Sequence, residues 1–200
     1  NPPPPRELPT FQGNPDYFVE TSPAATIQFI GMGVNDPLLK DVRTRQAIGY
    51  AIDRDLINTA IYQGIGSPTT TYLSKELGGD KGVAEAAPGF DVAKAKSLLK
   101  EVGWVAGSDG ILVAENVEGV EKGTRFEVSY WSYQEDEYRR LAEVTQKMLA
   151  DIGIKANVQL MDNPTYADHL KGGGVQLMLR YYEWDNNDIL EWFHHSKMLP

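Results

Sequence analysis

The sequence contains no cysteine, which excludes disulfide bridges, thiolate metal sites and a cysteine nucleophile. It contains no apolar run near the roughly 20 residues that cross a bilayer, and it does not open with the basic and apolar segments of a secretion signal. Basic residues are outnumbered, since 19 Lys and Arg stand against 28 Asp and Glu and the net charge is −9. Because nucleic acids and anionic lipids bind basic faces, we expect neither as a partner.

The motifs of common catalytic and cofactor sites are also missing. The sequence has no GxSxG elbow, no phosphate-binding loop and no HExxH metal motif. The stretch "GMGVND", Gly31 to Asp36, lacks the third glycine and the following helix of a dinucleotide loop, so we interpret its glycines as turn residues. The adjacent His194 and His195 would point about 100° apart on a helix, and His169 stands alone. We therefore expect no cofactor and no metal.

What the sequence does contain is a succession of strand and helix patterns. The clearest is an alternating apolar pattern from Phe126 to Tyr130, a helical pattern from Asp136 to Ile152, and a second alternation from Ile154 to Leu160. Such a βαβ unit implies two parallel strands joined by a right-handed crossover. A short helix, Pro164 to Lys171, and a third strand, Val175 to Tyr181, are predicted to follow. The predicted fold class is therefore α/β, with a mixed, mostly parallel sheet flanked by helices.

Upstream of this unit the sequence predicts one strand, three capped helices and a hairpin. The strand covers Ala25 to Met32, and the hairpin falls between Asp109 and Gly123. Proline is concentrated in the first 23 residues, so residues 1–24 are predicted to be an extended lead-in and residues 25–200 a single α/β ligand-binding lobe. The helices are predicted to begin after aspartates that can accept a hydrogen bond from a free backbone N–H, namely Asp41, Asp53 and Asp91.

The candidate site residues lie where two predicted strands end. Ligands bind beyond the carboxyl ends of parallel strands, because loops converge there and helix N-termini expose free N–H groups. The first strand of the βαβ unit leaves through "YWSYQ", Tyr130 to Gln134, and the third strand leaves through "YYEWDNND", Tyr181 to Asp188. Both exits are rich in aromatic and hydrogen-bonding side chains. If the two strands are parallel neighbours, we expect these exits to share one rim.

Each of these clusters also has a purely structural interpretation. Aromatic side chains near strand ends more often cover the core, because they bury a large area. Asp185 or Asp188 can cap a following helix. Glu183 and Asp185 alternate along an extended backbone, so they could also form a carboxylate pair like that of a glycosidase. The residues alone leave core packing, ligand binding and acid–base chemistry open.

The stretch "NDPLLKDVRTRQAIGYAIDRDLINTAIYQGIGSPTT", Asn35 to Thr71, resembles the signature of the bacterial extracellular solute-binding proteins of family 5. That family comprises oligopeptide-, dipeptide- and nickel-binding components of ABC importers. "DVAKAKSLLKEVGW", Asp91 to Trp104, is similar to a helix of the same family, and the likeness extends over Ile27 to Phe193. The residues that match the signature are Asn35, Pro37, Asp41, Arg43, Arg45, Gln46, Ala47, Ala51, Ile52, Asp53, Arg54, Gly64 and Gly66.

The resemblance implies a ligand site at the end of this region. In peptide-binding members of the family, an aspartate near a tryptophan pairs with the amino terminus of the ligand. One register sets Tyr182 at the tryptophan and Asp185 at the aspartate, and a second sets Trp184 at the tryptophan and Asp188 in the acidic segment. The proline that the family carries there is missing in both registers. The implied ligand-binding residues are Asp185, Trp184, Tyr182, Tyr130, Trp131, Tyr133 and Asp188.

The same resemblance implies the overall function. The chain would be a fragment, the second lobe of a two-lobed periplasmic-binding-protein-like protein, with the first lobe, signal peptide and lipid-anchoring cysteine outside it. This protein would capture a peptide-like solute by hinge closure outside the cytoplasmic membrane and deliver it to the permease subunits of an ABC importer. The alternatives are an oligosaccharide ligand, which stacks on aromatic rings, and a carboxylate-pair hydrolase. We expect a monomer without enzymatic activity, in the periplasm or as a cell-surface lipoprotein.

Overall fold

The computed structural model describes residues 4–22, 26–71 and 89–183. The chain divides into two compact units. The first unit is formed by Asn1–Phe29, Arg54–Ala87 and Tyr181–Pro200, and the second unit by Ile30–Asp53 and Pro88–Arg180. In the described ranges, no helix has the length and apolarity that crossing a membrane requires. The domain boundaries predicted from the sequence stay predictions.

The described residues form short helices and strands in alternation, as the α/β prediction requires. A 3-10 turn, Pro5–Glu7, precedes α1, so the proline-rich lead-in carries more regular structure than the sequence predicts. The elements in chain order are α1 (Leu8–Phe11), β1 (Thr26–Met32), α2 (Val42–Ala51), α3 (Arg54–Tyr62), α4 (Val92–Val102), β2 (Trp104–Ala106), β3 (Leu112–Ala114), β4 (Glu127–Tyr133), α5 (Asp136–Asp151), β5 (Lys155–Met161), α6 (Asn163–Gly172) and β6 (Leu177–Glu183).

The main sheet has four strands in the order β1-β6-β4-β5. Strands β4 and β5 pair in parallel from Glu127 opposite Lys155 to Tyr133 opposite Met161. Strands β4 and β6 are also parallel neighbours, with Trp131 opposite Met178. The β4–α5–β5 succession is therefore the parallel βαβ unit that the periodicity predicts, and the α/β fold class is confirmed.

Two of the three predicted aspartate caps are confirmed, at the starts of α2 and α4, and the cap at Asp53 stays a prediction. The Asp41 carboxylate accepts a hydrogen bond from the Arg43 backbone N–H at 2.8 Å, and Asp91 accepts one from Lys94 N–H at 2.8 Å. Gly103 ends α4 with φ 112°, a left-handed conformation that favours glycine. The apolar stripe of α4 is buried as predicted, at Ala95, Leu98, Leu99 and Val102.

Glycine is required in the turn after β1. The Gly33 N–H donates to the Gln176 carbonyl oxygen at 2.8 Å, and Asp36 N–H donates back to the Gly33 carbonyl oxygen at 3.1 Å. A Cβ at Gly33 would overlap the Val175 carbonyl oxygen and lie 3.0 Å from its carbonyl carbon. The "GMGVND" stretch is thus a turn in which two backbones approach closely, in agreement with its interpretation from the sequence.

The Gln176 side chain fastens this turn to β4. Its Oε1 accepts from Ser129 N–H at 2.7 Å and from the Ser129 hydroxyl at 3.1 Å. Its Nε2 donates to Asp36 Oδ2 at 3.0 Å. Because this amide uses both its acceptor and its donor ends, it fixes the start of β6 against β4.

Two local predictions differ from the structure. The hairpin begins earlier than predicted, because the left-handed Gly103 turns the chain directly into β2, which pairs with β3 from Trp104 opposite Ala114 to Ala106 opposite Leu112. The predicted buried face of β5 holds at Ile154 and Ala156 but not at Leu160, which is 41% exposed. β5 is the outer strand of the sheet, where fewer neighbours cover a side chain.

Candidate ligand-binding site

Strand β4 carries three of the predicted ligand-binding residues on its two faces. Successive side chains of a strand point to opposite faces of the sheet. Trp131 and Tyr133 therefore share one face of β4, and Tyr130 lies on the other. All three are buried, with Tyr130 0% exposed and Trp131 and Tyr133 each 7% exposed. The structure therefore brings Trp131 and Tyr133 into one cluster and separates Tyr130 from them.

Tyr130 packs beneath helix α5. Its hydroxyl lies 2.9 Å from the Thr145 hydroxyl, which itself lies 2.8 Å from the Leu141 carbonyl oxygen. A carbonyl only accepts, so Thr145 donates to Leu141 and Tyr130 donates to Thr145. Burial raises the pKa of the Tyr130 hydroxyl far above its usual range. This environment agrees with the core interpretation of Tyr130, and its contact with a ligand stays a prediction.

On the other face of β4, aromatic rings gather where the strand ends. We call the aromatic cluster the set Trp131, Tyr133, Tyr138, Tyr166 and His169. Tyr133 stacks on Tyr166 with ring centroids 4.3 Å apart and planes at 24°, and it meets Tyr138 edge to face at 5.1 Å. Trp131 meets His169 edge to face at 5.3 Å and 85°. These are the offset and edge geometries that aromatic quadrupoles favour.

The two helices that precede and follow β5 in the chain supply the aromatic partners of Trp131 and Tyr133. Tyr138 comes from the first turn of α5, and Tyr166 and His169 come from α6. Met161, at the end of β5, and the partly buried Leu170, Val175 and Met178 complete the apolar surroundings. The cluster therefore lies at the carboxyl ends of the two parallel strands β4 and β5, where a site is expected in an α/β sheet.

The sequence did not assign a role to Tyr138, Tyr166 or His169. Tyr166 and His169 stand three residues apart, so on a helix they share one face. That spacing, directly after a strand predicted to run parallel to the "YWSYQ" strand, is the sequence feature that could place Tyr166 and His169 near the site. It does not reveal which rings touch, because the contacts join residues more than thirty positions apart.

The remaining candidates belong to the last segment of the chain. Tyr182 lies in the first unit, where it stacks on Phe29 at 5.3 Å and 18°. Trp184, Asp185 and Asp188 lie outside the described residues. Glu183 is exposed at the end of β6. The carboxylate pair suggested by Glu183 and Asp185 therefore stays a prediction, as do the two registers for the acid.

Within the residues that the structure describes, no three His, Asp or Glu side chains lie together in a position to hold a metal ion. His169 has its Nδ1 2.9 Å from the Thr165 carbonyl oxygen, one turn earlier in α6. Because a carbonyl only accepts, Nδ1 carries the proton in this contact. The imidazole is thus oriented by the helix backbone and by the Trp131 ring.

A family model and curated relatives match most of the chain. The model of the bacterial extracellular solute-binding proteins, family 5, middle region, matches residues 1–197. The dipeptide-binding protein of Escherichia coli is 28% identical over 171 residues, which is 83% of this chain and 28% of that protein. The glutathione-binding protein GsiB of Pectobacterium atrosepticum is 27% identical over 175 residues, 86% of this chain and 30% of that protein. The chain thus spans less than a third of the length of either relative.

Solved structures of similar fold include the oligopeptide-binding protein AppA from Bacillus subtilis in complex with a nonapeptide. The two folds superpose with a TM-score of 0.78 at 22% identity, over 98% of this chain and 38% of AppA. At this identity the likeness establishes the fold. It agrees with the predicted periplasmic-binding-protein-like architecture.

Proposed function

This chain belongs to family 5 of the bacterial extracellular solute-binding proteins, and we propose that it is part of the substrate-binding component of an ABC importer. The observation that carries this proposal is the family match over residues 1–197. The share of the relatives that the chain covers supports the further proposal that it supplies one lobe of a two-lobed protein. The first lobe, outside this chain, would enclose the solute from its other side.

A peptide-like solute is the ligand that we propose. The names of the two relatives, a dipeptide-binding and a glutathione-binding protein, support this class. In the proposed site, Trp131 and Tyr133 form an apolar wall at the end of β4. Tyr182 and Trp184 are further proposed ligand contacts, which the family resemblance implies. Asp185 accepts hydrogen bonds from the ammonium group of the peptide.

The proposed mechanism is closure of two lobes on the solute. A ligand stabilises the closed form only by the difference between its affinities for the closed and open forms. Contacts that exist only when both lobes surround the solute supply this difference. A carboxylate–ammonium pair contributes more once closure removes water, because the effective dielectric constant falls. Asp185 therefore has its greatest effect in the closed state that docks on the permease.

The remaining parts of the proposal follow from the same role. The protein acts outside the cytoplasmic membrane, as a periplasmic protein or a lipoprotein, and its partners are the membrane subunits of the importer. It binds as a monomer and performs no chemistry on its solute. The carboxylate-pair hydrolase remains the alternative from another class, and it predicts turnover rather than stoichiometric binding.

An oligosaccharide is the alternative ligand within the same role. The rings of Trp131 and Tyr133, which sit at a strand end, are the observation that favours it, because aromatic faces also stack on pyranose rings. In that case Asp185 and Asp188 would accept hydrogen bonds from sugar hydroxyls. The two ligand classes differ in what they require of the acid, since only a peptide brings a positive charge.

A thermal-shift screen of the full-length protein against peptides, oligosaccharides and nickel tests the proposal. A ligand that binds only the folded state stabilises it by about 2.7 kcal/mol at a concentration of 100 times Kd. We expect a shift with peptides. Stabilisation by oligosaccharides alone would select the alternative ligand, and hydrolysis of an oligosaccharide or a peptide during the assay would favour the hydrolase.

A further inference from the structure

The side chain of Tyr166 joins helix α6 to two strands. It is the most deeply buried member of the aromatic cluster, 1% exposed. Its ring stacks on Tyr133 of β4 at 4.3 Å. Its hydroxyl donates to the carbonyl oxygen of Leu179, on β6, at 2.8 Å. The hydroxyl thereby fixes how far the ring reaches into the cluster and how it is tilted.

We propose that Tyr166 is a positioning residue for the ligand-binding site. It does not touch the solute; it holds the ring of Tyr133, and through the shared cluster that of Trp131, in the orientation that the solute meets. This inference rests on the proposed function, in which Trp131 and Tyr133 contact the solute. A stacked ring pair alone can slide and rotate, whereas a buried hydroxyl bonded to a strand carbonyl has one preferred position.

The contact on Leu179 is well placed for this role. Strands β4 and β6 pair with Trp131 opposite Met178, and Leu179 is the next residue of β6. The Tyr166 hydroxyl therefore anchors on β6 one residue beyond the point where Trp131 is paired. A displacement of Tyr166 would therefore also displace the rings of Trp131 and Tyr133, which lie at the same end of the sheet.

The backbone of Tyr166 is fixed as firmly as its side chain. Helix α6 begins after Asp162, whose carboxylate accepts from Thr165 N–H at 2.8 Å. The Tyr166 N–H donates to the Asp162 carbonyl oxygen at 2.9 Å, which closes the first turn. One turn later the His169 ring meets the Trp131 ring edge to face. The same face of this short helix thus supports both rings of β4.

Removing the anchor should lower the fraction of molecules whose wall is correctly formed. The apparent Kd rises as the inverse of that fraction. Tyr166→Phe keeps the ring and loses the hydrogen bond, and we expect it to weaken peptide binding about three- to fivefold. Tyr166→Leu also removes the stacking on Tyr133, and we expect a loss of about tenfold or more.

A matched control separates positioning from general destabilisation. Ile152→Val removes one methyl group from a side chain that is 1% exposed and precedes the start of β5, at the opposite end of the strands from the cluster. Its cost in stability is comparable to that of one hydrogen bond. We expect Ile152→Val to lower the melting temperature while leaving the Kd of the folded protein unchanged.

The experiment measures peptide affinity and ring environment in the full-length protein. Kd values for a panel of defined di-, tri- and pentapeptides are compared among wild type, Tyr166→Phe, Tyr166→Leu and Ile152→Val. In parallel, ¹⁹F NMR of 5-fluorotryptophan-labelled protein, with the Trp131 signal assigned by Trp131→Phe, reports the Trp131 ring without any ligand. We expect Tyr166→Leu to shift this signal and Ile152→Val to leave it in place.

The outcomes distinguish the inference from the proposed function. Peptide binding that is equal in Tyr166→Phe, Tyr166→Leu and Ile152→Val would overturn the positioning role and leave the proposed function intact. An unshifted Trp131 signal in Tyr166→Leu would overturn it whether or not a peptide binds. A shifted signal in a protein whose wild type binds no peptide would instead overturn the proposed peptide ligand.

Discussion

Replacing Gly33 by alanine tests the close backbone approach that orders the start of β6. The added Cβ would overlap the Val175 carbonyl oxygen and lie 3.0 Å from its carbon. Because the clash is with backbone, a rotamer change cannot relieve it, and the two segments must separate by about 1 Å. That movement breaks the 2.8 Å hydrogen bond from Gly33 N–H to Gln176.

The cost of this change follows from its two parts. Overpacking a close contact costs about 1–3 kcal/mol, and the broken hydrogen bond costs about 1 kcal/mol more. We therefore expect Gly33→Ala to lower the free energy of unfolding by about 2–4 kcal/mol. The assay is urea denaturation of the full-length protein, followed by far-ultraviolet circular dichroism, with the midpoint and the slope compared between variants.

Gly172→Ala is the matched control, because nothing lies within 4 Å of a Cβ built at Gly172 and its φ is not in the left-handed range. Alanine at such a helical position stabilises by about 0.5–1 kcal/mol. A Gly33→Ala variant that unfolds at the wild-type urea concentration would refute the close approach. So would equal effects of the two substitutions.

Two further predictions concern a helix cap and a charged group. Asp91→Ala should lower the free energy of unfolding by about 1 kcal/mol, because it removes the acceptor for Lys94 N–H. Asp151→Ala, at the last residue of α5, should not lower it. Urea denaturation compares the two variants, and equal losses of stability would contradict the capping role of Asp91. The hydrogen bond from Arg125 holds the pKa of Glu127 below its usual range. The ionised Glu127 therefore contributes to stability above the ordinary glutamate pKa. This contribution is lost as the pH falls through the lowered pKa that Glu127 has in the folded protein. Thermal melts between about pH 5 and pH 2 should show a weaker pH dependence for Arg125→Met than for wild type, and parallel curves would contradict this.

The parts of the fold that depend on local periodicity could be predicted from the sequence. The alternation in Phe126 to Tyr130 and the helical stripe after Asp136 predict the βαβ unit, because burial of one face imposes a fixed period on each element. Asp41 and Asp91 mark helix starts for a reason equally local, since their carboxylates reach N–H groups two or three residues on.

The parts that depend on long-range packing could not be predicted. Leu160 continues the alternation of β5, yet its exposure is decided by the position of β5 at the edge of the sheet. Similarly, the alternation in the sequence places Tyr130 and Trp131 on different faces of β4. It does not tell which of the two faces α5 and which faces α6. The stacking of Tyr166 on Tyr133 joins α6 to β4, two elements that are separated in the sequence by α5 and β5. No local spacing encodes that contact.

The proposed peptide-binding function depends on a pairing of Asp185 with the ammonium group of the peptide. Isothermal titration of the full-length protein with the peptide that gives the largest thermal shift tests it most directly, in wild type, Asp185→Ala and Asp188→Ala, with an N-acetylated peptide as ligand control. We expect saturable one-to-one binding that is lost in Asp185→Ala and with the acetylated peptide, and retained in Asp188→Ala. Equal binding of the free and acetylated peptides, or loss of binding in Asp188→Ala alone, would contradict it.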